Sequence, residues 1–511
     1  MLRKFSTFLF LSTVIACAAE TDVSESTVRV MQITLPEAVQ AALQKNFTLQ
    51  ERSYDPRIAT ERLRSVRGIF DPSLDAAYRY RYNKSGGLAA DITGSATFVP
   101  LFRTDSHEAS LGLVGKTPFG TSYDIGGTTL IEENARRNFT RYDTFLGISL
   151  TQPLLKNFGT GANMAAIRIA RADLSISDWA LRQEMINVIT DCIHAYSELC
   201  YAIEYLDVEE RSRELASQLV DDNTKRWQIG TMIPLDVFQA RGELASREER
   251  VLVAQRNVAD RENALKQILS DEVHTLLGLR VRPAAPQLPK VPHPDVKKDI
   301  VKALDLRPDY RQALLAIQKQ NITVVYSRNQ ALPRLDLVAS FGFNGIDTKL
   351  GDSLVRAAGV RDNNIAASVG AVFSVPIPNN ENLGSKEAAK LQIAKSLVAL
   401  KRLEQNIIID IDNAAGRIET VNKRVEASTV ARKYAAATLD AANKRYDAQT
   451  GTTFEILQFQ RDLANAEGIE LRARADYINA LADYASVTAT TLESNNVILD
   501  VADKQVVKKK K

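Results

Sequence analysis

Residues 225–248 read KRWQIGTMIPLDVFQARGELASRE, and 219 positions later residues 444–467 read KRYDAQTGTTFEILQFQRDLANAE. Both stretches keep a basic pair, a threonine, an acidic residue and a Leu-Ala pair at the same spacing. Each contains the end of one helical pattern, a short break and the start of a second helical pattern. The breaks at 230–234 and 449–453 therefore predict two helical hairpins.

The front of the chain repeats as well, at a different spacing. A slide of 261 residues places Ala42-Leu43 on Ala303-Leu304 and Pro72 on Pro333. The spacing falls to 219 because the first copy carries about 40 additional residues between the two matches. Repeats of this length indicate a duplicated structural unit. The predicted organisation is a first repeat at 32–275, a proline-rich connector at 276–297, a second repeat at 298–491 and a basic C-terminal tail at 492–511.

Composition excludes several classes of function. The net charge is only +3, from 65 Lys and Arg against 62 Asp and Glu, so the balance gives no basic surface for nucleic acid. The four histidines are scattered, without metal-ligand spacing, a phosphate loop or a nucleophile motif. We therefore expect neither an enzyme nor a bound cofactor.

The N-terminus predicts export from the cytoplasm. Arg3 and Lys4 precede an apolar run from Phe5 to Ile15 and then small residues. The run is too short to span a membrane, so residues 1–18 are interpreted as a signal peptide. The same segment matches a lipobox, in which Cys17 would be acylated, and the alternative is plain cleavage after Ala18 or Ala19.

The remaining sequence lacks an apolar stretch of about 20 residues that could cross a membrane as a helix. Any membrane entry must therefore use strands. Cys192 and Cys200 lie eight residues apart within one predicted helix, about 12 Å along its axis, and cannot pair there. Both are expected to be buried as small apolar side chains.

Four segments alternate apolar and polar residues over about ten positions, which is typical of transmembrane β-barrel strands. They begin near Leu74, Tyr142, Leu335 and Ile365. The alternative is a half-buried strand of a soluble sandwich, although strand pairs between very long helices make a poor sandwich. Residues 83–141, the expanded part of the first repeat, are expected to form a long surface loop or an extended hairpin.

Helical periodicity covers most of the remaining chain. Leading helices are predicted at 34–68 and 295–330, and long helices at 162–227 and 385–446, each followed by a return helix of about 40 residues. Apolar residues at steps of four and three in the first long helix form a coiled-coil seam. A helix of about 65 residues is near 100 Å long. The leading and return helices together match that length, so we expect them to stack end to end beside it.

Four membrane strands cannot close a barrel, and an open strand edge is not tolerated in lipid. The chain must therefore oligomerise. A dimer would supply eight strands with a filled interior, whereas a trimer would supply twelve strands and a lumen.

These features together resemble the outer-membrane efflux proteins, the TolC-like exit ducts of drug-efflux and type I secretion machines. The resemblance covers roughly residues 34–490. It is carried by the opening Ile33 to Ala38, the strand starts at Pro72 and Pro333, the strand-to-helix junction Thr151 to Leu155 and the two helical hairpins. Each motif is weak alone, whereas their order and duplication are specific.

The resemblance implies a mainly α-helical fold with membrane β structure. A long antiparallel coiled-coil barrel would continue into a trimeric twelve-stranded outer-membrane β-barrel with four strands per chain. The homotrimer would reach from outer-membrane lipid through the periplasm to an adaptor protein and an inner-membrane transporter, and would export small molecules or proteins. The adaptor would contact the helix turns at Gly230, Thr231, Thr450 and Gly451.

The resemblance also places a gate at the periplasmic end of the tunnel. The gate tyrosine falls on Tyr446, its acidic partner on Asp236 and a ring of lumen carboxylates on Glu455, with Gln239 and Gln458 beside them. Gln458 stands where the family has a second acidic ring, and Gly451 stands where a basic residue forms an inter-helix salt link. The chemistry of closure is therefore expected to depart from that of the family.

Physical reasoning supports a constriction independently of the resemblance. Three copies of Glu455 around a narrow axis would favour cations. The structural alternative is that Tyr446, Asp236 and Glu455 only cap and pack a helical turn, because acids are ordinary near helix starts. For the whole chain, the alternative functions are a periplasmic adaptor or a coiled-coil scaffold without channel activity. The sequence identifies neither the cargo nor the adaptor.

Overall fold

The computed structural model describes residues 30–90, 96–134, 139–276, 278–284, 294–360, 364–448, 450–495 and 497. The predicted signal peptide with Cys17, the centre of the proline-rich connector and the basic tail beyond residue 497 lie outside these residues. The described part of the chain is mainly helical and contains two sheets.

Two very long helices organise the molecule. Helix α4 (Ala165–Gln228) has 64 residues and α9 (Asn380–Asp447) has 68, so each is about 100 Å long. The return helices α5 (Pro234–Leu269) and α10 (Thr453–Val487) confirm the two predicted hairpins. The shorter helices are α1 (Leu35–Lys45), α2 (Phe47–Arg67), α3 (Thr160–Asn163), α6 (Val296–Leu306), α7 (Pro308–Gln330), α8 (Leu350–Ala357) and α11 (Thr491–Ser494). Within the described residues, every helix is too short or too polar to cross a membrane.

The two leading helices are each divided in two, where the sequence predicted one continuous helix. Asn46 adopts an extended conformation between α1 and α2, and its side chain accepts a hydrogen bond from the Leu49 N–H at 3.2 Å. Arg307 is extended between α6 and α7, because the following Pro308 disfavours helical geometry at the residue before it. An N-cap asparagine and an X-Pro step therefore each end a helix inside an otherwise helical pattern.

Eight strands form two separate sheets. A short parallel pair joins β1 to β6, and a larger antiparallel sheet has the order β2-β3-β4-β5-β7-β8. The strands are β1 (Val30–Ile33), β2 (Ser73–Ala90), β3 (Ala96–Lys116), β4 (Ser122–Asn134), β5 (Phe139–Pro153), β6 (Arg280–Pro283), β7 (Arg334–Asp347) and β8 (Ile365–Ser374).

The larger sheet contains six strands, where the sequence predicted four membrane strands per chain. The segment 83–141 was expected to be a surface loop or an extended hairpin, and its β3–β4 pair is an extended hairpin. The segment also extends β2 and begins β5. The turn between β3 and β4 is held by a hydrogen bond from the Gly120 N–H to the Thr117 carbonyl at 2.9 Å. The inserted residues therefore widen the sheet.

The inserted strands continue both faces of the sheet in register. Leu111 on β3 pairs with Ala76 on β2 and Gly127 on β4, and Gly127 pairs with Leu146 on β5. Leu146 in turn pairs with Phe343, which pairs with Ile365 on β8. One row of apolar or small residues thus crosses all six strands. Residues two positions further along each strand lie on the same side of the sheet and form the neighbouring rows. We call this side of the sheet the apolar face.

The apolar face is exposed in the single chain. The exposed apolar side chains on it include Leu74, Tyr78, Leu111, Ile125, Leu146, Phe341, Val369 and Phe373. Contiguous apolar surface of this extent is unusual on a soluble monomer and marks contact with a membrane or a partner.

The opposite, polar face is the concave side. Gly112 pairs with Gly126 there, and Gly147 pairs with Gly342. A Cβ atom on Gly126 would lie 2.4 Å from the Gly112 Cα, so the strands approach too closely for any side chain. Glycine pairs of this kind allow a sheet to bend. The ring of Phe145, the one residue that interrupted the polar pattern of its strand, covers the Gly147–Gly342 pair.

Hydrogen bonds join the sheet to the helical body. The Leu154 N–H donates to the Leu335 carbonyl at 2.7 Å, and the Asn157 N–H donates to the Asn329 side chain at 2.7 Å. The Gln330 side chain also donates to Asn157 at 2.7 Å. The chain segment that leaves β5 is therefore tied to the end of α7, just before β7 begins.

The main apolar core lies where the short β1–β6 pair meets the long helix α4. Tyr196 of α4 is 1% exposed and donates to the carbonyls of Ile33 and Ala284 at 3.1 and 2.7 Å. Ile189, Leu199 and Leu265 are fully buried around it. This contact fixes α1, α4 and α5 near the middle of the helical body.

Cys192 and Cys200 belong to this core and are free thiols, as predicted. Burial raises the pKa of each thiol to about 12, which leaves about one thiolate in ten thousand at pH 8. We expect neither residue to react with iodoacetamide at pH 8 while the protein is folded, and both to react in denaturant. Peptide mass mapping measures this, and rapid alkylation of the folded protein would contradict the buried placement.

Candidate functional site

The two hairpins turn at the end of the helical body opposite the sheet, which we call the tip (residues 223–239 and 442–458). The first turn is a Schellman motif. The Gly230 N–H donates to the Trp227 carbonyl at 3.0 Å, and the Thr231 N–H donates to the Arg226 carbonyl at 2.9 Å. Gly230 has φ +78°, a conformation that favours glycine.

The second turn has the same hydrogen bond at the equivalent position. The Thr450 N–H donates to the Arg445 carbonyl at 2.9 Å, and its hydroxyl donates to the same atom at 3.1 Å, as the Thr231 hydroxyl does to Arg226. A Cβ atom on Gly451 would lie 3.1 Å from the Tyr446 nitrogen, so glycine allows a close turn. The four residues predicted to contact an adaptor thus lie at the two turns, three of them exposed.

The return helices begin differently. Pro234 is the first residue of α5, where its missing N–H costs nothing. Helix α10 begins with a capping box, in which the Glu455 N–H donates to the Thr452 hydroxyl at 3.2 Å and the Thr452 N–H donates to the Glu455 carboxylate at 3.1 Å. Within one chain, the Glu455 carboxylate therefore caps the N-terminus of α10.

A buried polar cluster joins the ends of all four helices at the tip. Asn223 of α4 is fully buried and accepts a hydrogen bond from the Tyr446 hydroxyl of α9. The Asn223 amide lies 3.3 Å from the Thr453 hydroxyl of α10 and 3.4 Å from the Asp236 carbonyl of α5. Separation of the two hairpins must break the Asn223–Tyr446 and Asn223–Thr453 bonds, and buried polar groups are costly to leave unpaired.

Arg226 closes the cluster on one side. Its guanidinium lies over the Tyr446 ring, 4.4 Å from the centroid, which is cation–π geometry. It also lies 3.7 Å from the Asp447 carboxylate and 3.5 Å from the Tyr446 carbonyl. Arg226 thus connects the last turn of α4 to the last turn of α9.

Apolar side chains surround these contacts. Leu219, Ala442, Ile456 and Leu457 pack with Tyr446, which is 7% exposed. Burial raises the pKa of the Tyr446 phenol above its ordinary value. The phenol is therefore protonated at neutral pH and remains a donor to Asn223.

Of the other predicted gate residues, Asp236 contributes a backbone carbonyl to the cluster, and the hydrogen bonds described for Glu455 and Gln458 lie elsewhere. Gln458 donates to the Asp462 carboxylate on its own helix at 3.1 Å, and Gln239 is exposed. Asp236 reaches the cluster through its backbone carbonyl, and its side chain is partly buried. The structure thus brings Tyr446 and the Asp236 backbone together, while Glu455 and Gln458 bond within α10.

Sequence reasoning missed Asn223, Arg226 and Thr453. Asn223 follows Leu219 by four residues, so it is a polar residue in the apolar seam of α4. A buried asparagine in such a seam commonly fixes the register of a coiled coil, and this signal could have identified it. In the described part of the chain, His, Cys, Asp and Glu side chains do not gather in groups that could hold a metal ion.

Comparison with known proteins adds a family match. A model described as "Outer membrane efflux protein" matches residues 129–270 and 300–490. The chain is similar to Outer membrane protein TolC of Escherichia coli (strain K12), with 24% identity over 342 residues, 66% of this chain and 68% of that protein. It is also similar to the solvent efflux pump outer membrane protein SrpC of Pseudomonas putida, with 26% identity over 434 residues, 84% of this chain and 81% of that protein.

The fold is similar to that of solved channels. The Campylobacter jejuni CmeC outer membrane channel matches with a TM-score of 0.66 and 17% identity, over 90% of this chain and 89% of that one. The open state of the Neisseria gonorrhoeae MtrE outer membrane channel matches with a TM-score of 0.61 and 17% identity, over 92% and 94%. At these identities the likeness shows a shared fold.

Proposed function

This chain belongs to the outer membrane efflux protein family, and on that premise we propose that it forms the homotrimeric exit duct of a tripartite efflux assembly. It is an outer-membrane protein with a large periplasmic helical portion. The proposed duct carries its cargo from the tip, through a helical tunnel, to the barrel and out of the cell.

The observation that carries the proposal is the six-stranded sheet with one exposed apolar face, attached to helices of about 100 Å. The two ends of the sheet are β2 and β8. An open edge is not tolerated in lipid, so copies of the chain must close the barrel. Because six is even, β8 of one copy meets β2 of the next in antiparallel orientation, as the remaining strands do.

Three copies of a six-stranded sheet make an eighteen-stranded barrel. Barrels of 16–18 strands enclose an aqueous channel. The concave polar face would line that channel, and the apolar face would contact lipid. The choice of three copies follows from the resemblance to the family. Three copies of the four-helix body would give the twelve-helix tunnel that this resemblance implies.

The helical body also has exposed apolar surface where neighbouring copies would pack. Contacts within one chain run in the order α5, α4, α10, α9. Leu252 and Val253 are 66% and 59% exposed on α5, and Tyr434 is 69% exposed on α9. Apolar side chains at the two ends of a row of helices fit a ring closed by further copies.

Closure of the tunnel is assigned to the tip. The cluster around Asn223 and Tyr446 holds the two hairpins together, and opening requires them to move apart. Three copies of Glu455 near the axis would favour cations in the constriction. The turns at Gly230, Thr231, Thr450 and Gly451 are the proposed contacts for a periplasmic adaptor, which would connect the duct to an inner-membrane transporter.

Single-channel recording in planar bilayers tests this proposal. We expect small, cation-preferring currents from a detergent-stable trimer. Glu455→Gln removes the charge but retains an oxygen that can accept from Thr452, so it should lower the cation preference without destabilising α10. Glu426→Gln, an exposed carboxylate on α9 away from the tip, is the matched control and should leave the preference unchanged.

Two results would contradict the duct. A water-soluble monomer without currents would favour an adaptor or scaffold. A trimer that conducts neither as wild type nor as Tyr446→Phe, whose gate should be loosened, would exclude a gated channel.

A further inference from the structure

A cavity of about 410 Å³ lies where the six-stranded sheet joins the helical body. One wall is formed by the ends of β3, β5 and β8 and the starts of β4 and β7, and the other by the segment after β5 and the first turn of α9. We call it the junction cavity, and the residues that line it include Lys116, Thr151, Lys156, Arg334, Asp336 and Asn382.

The junction cavity belongs to the concave polar face of the sheet. Lys116 pairs with Ser122, and Ser122 pairs with Thr151. Thr151 lies four residues after Gly147 on β5, so both residues are on the same side of the strand. Gly147 is one of the glycines of the concave face, and the cavity therefore opens on that face.

Three cations line the junction cavity. Lys116 ends β3, Lys156 follows β5 and Arg334 begins β7, so the three side chains come from separate parts of the chain. Among the described residues, no carboxylate forms an ion pair with the ammonium group of Lys116 or Lys156. Cationic side chains that line one cavity without a counter-charge attract an anion, and ammonium groups form strong charge-assisted hydrogen bonds with one.

The lining contains one carboxylate, that of Asp336. This side chain is only 7% exposed and accepts a hydrogen bond from the Arg334 Nε atom. The Arg334 side chain is 58% exposed, so the rest of its guanidinium remains accessible. Three cations against one carboxylate leave two net positive charges in each copy of the cavity.

The acidic residues of neighbouring rows lie further along the concave face. Asp124 is two residues beyond Ser122 on β4, and a Cβ atom on Gly112 would lie 2.6 Å from its carboxylate oxygen. Gly112 precedes Lys116 by four residues on β3, so the Asp124 carboxylate is directed away from the junction cavity. Asp75 and Asp124 both line a second cavity on this face. The end of the face beside the helical body is therefore its basic end.

We propose that the junction cavity is an anion-binding site for cargo, in which Lys116, Lys156 and Arg334 bind a carboxylate, sulfonate or phosphate group. This inference rests on the proposed duct, because the concave face lines a lumen only in a closed barrel. Three copies would place six net positive charges where the tunnel meets the barrel. The Glu455 ring favours cations at the closed tip, whereas the junction cavity acts on cargo that has passed the open tip. The cargo class is organic molecules that carry an anionic group.

Fluorescence anisotropy of the trisulfonated dye pyranine tests the site on purified protein in detergent, where conduction is not required. Lys116→Gln and Lys156→Gln each remove one charge and retain a hydrogen-bonding side chain. Each should weaken dye binding roughly tenfold, because a hydrogen bond to a charged group is lost. Lys349→Gln is the matched control, since this lysine is exposed beyond the other end of β7 and should leave binding unchanged. Equal affinities in wild type and both cavity variants would overturn the site.

Asp336→Asn should change the affinity in the opposite direction. Asparagine keeps the shape of the side chain and an oxygen that can accept from Arg334, while the net charge of the lining rises from two to three in each copy. Pyranine should therefore bind severalfold more tightly, a gain that mere distortion of the cavity would not produce. Weaker binding by the folded Asp336→Asn protein would contradict an electrostatic anion site.

Single-channel recording with pyranine on the barrel side places the site in the conduction path. We expect the dye to reduce wild-type currents, and the same block to need roughly tenfold more dye in Lys116→Gln. Currents that are insensitive to a dye that binds the protein would overturn the role of the cavity in transport. Absence of all currents, with dye binding still weakened by Lys116→Gln, would instead overturn the duct and retain the anion site.

Discussion

Arginine in place of Leu111 is expected to prevent assembly in the outer membrane. Leu111 lies on inserted strand β3, in the row that crosses all six strands, and is 58% exposed in the single chain. An arginine on the lipid face near the bilayer midplane costs about 2–4 kcal/mol, and each copy in an oligomer adds this cost. The amount of heat-modifiable trimer in outer-membrane fractions measures the effect.

Two comparisons make this result specific. Ser110→Arg places the same charge one residue away, on the concave polar face, and should assemble normally. Ile148→Arg lies on β5, a strand that the sequence predicted, and should fail as Leu111→Arg does. Normal assembly of Leu111→Arg together with failure of Ile148→Arg would mean that the β3–β4 hairpin stands outside the barrel wall.

Loss of the buried contact between Asn223 and Tyr446 is expected to open the tip. Tyr446→Phe removes the donor and leaves the Asn223 oxygen unpaired, and Asn223→Ala also removes the contacts to Thr453 and the Asp236 carbonyl. A buried hydrogen-bonding group left unpaired costs about 1–3 kcal/mol. If closure loses this energy, the open probability rises by roughly tenfold or more, with the larger increase for Asn223→Ala.

Single-channel recording measures the open probability, and antibiotic sensitivity of cells provides an independent readout. Tyr54→Phe is the matched control, because this tyrosine is exposed on α2, a helix away from the tip, and the same hydroxyl is removed. Equal currents from wild type and Asn223→Ala, with both proteins trimeric, would show that the cluster does not hold the gate closed.

The sequence predicted the helical architecture well, because its signals are long and local. Apolar residues at steps of four and three run through α4, and Gly230 ends that helix in the left-handed conformation that few other residues adopt. The divisions at Asn46 and Pro308 were missed because the apolar pattern continues across them. A single capping residue or proline decides such a break, and periodicity over many residues does not report it.

The sequence left open whether the inserted segment is a loop or an extended hairpin, because the strands of that hairpin carry a weak signal. Strand β4 has Gly126 and Gly127 at its centre, where alternation of large residues should appear. These glycines allow the close approach of neighbouring strands that bends the sheet. The same glycines interrupt the alternation of large residues from which a strand is predicted. Helix α8 was missed because it spans only eight residues, which is too short for a helical pattern to stand out.

The candidate site was only partly accessible from sequence. The resemblance identified Tyr446, but the hydroxyl of this residue bonds to Asn223, 223 positions away along the chain. Such a contact depends on how two hairpins pack, and neither hairpin encodes it alone. The hydrogen bonds of Glu455, in contrast, are local. Its capping box with Thr452 spans three residues and can be predicted from the sequence.

Electron cryomicroscopy of the protein in lipid nanodiscs, processed without imposed symmetry, would test the central claim most directly. The account predicts three copies around a closed eighteen-stranded barrel, with β8 of each copy beside β2 of the next and the four-helix bodies forming one tunnel. A barrel wall that lacks β3 and β4, or a protein outside the bilayer as a monomer, would contradict it.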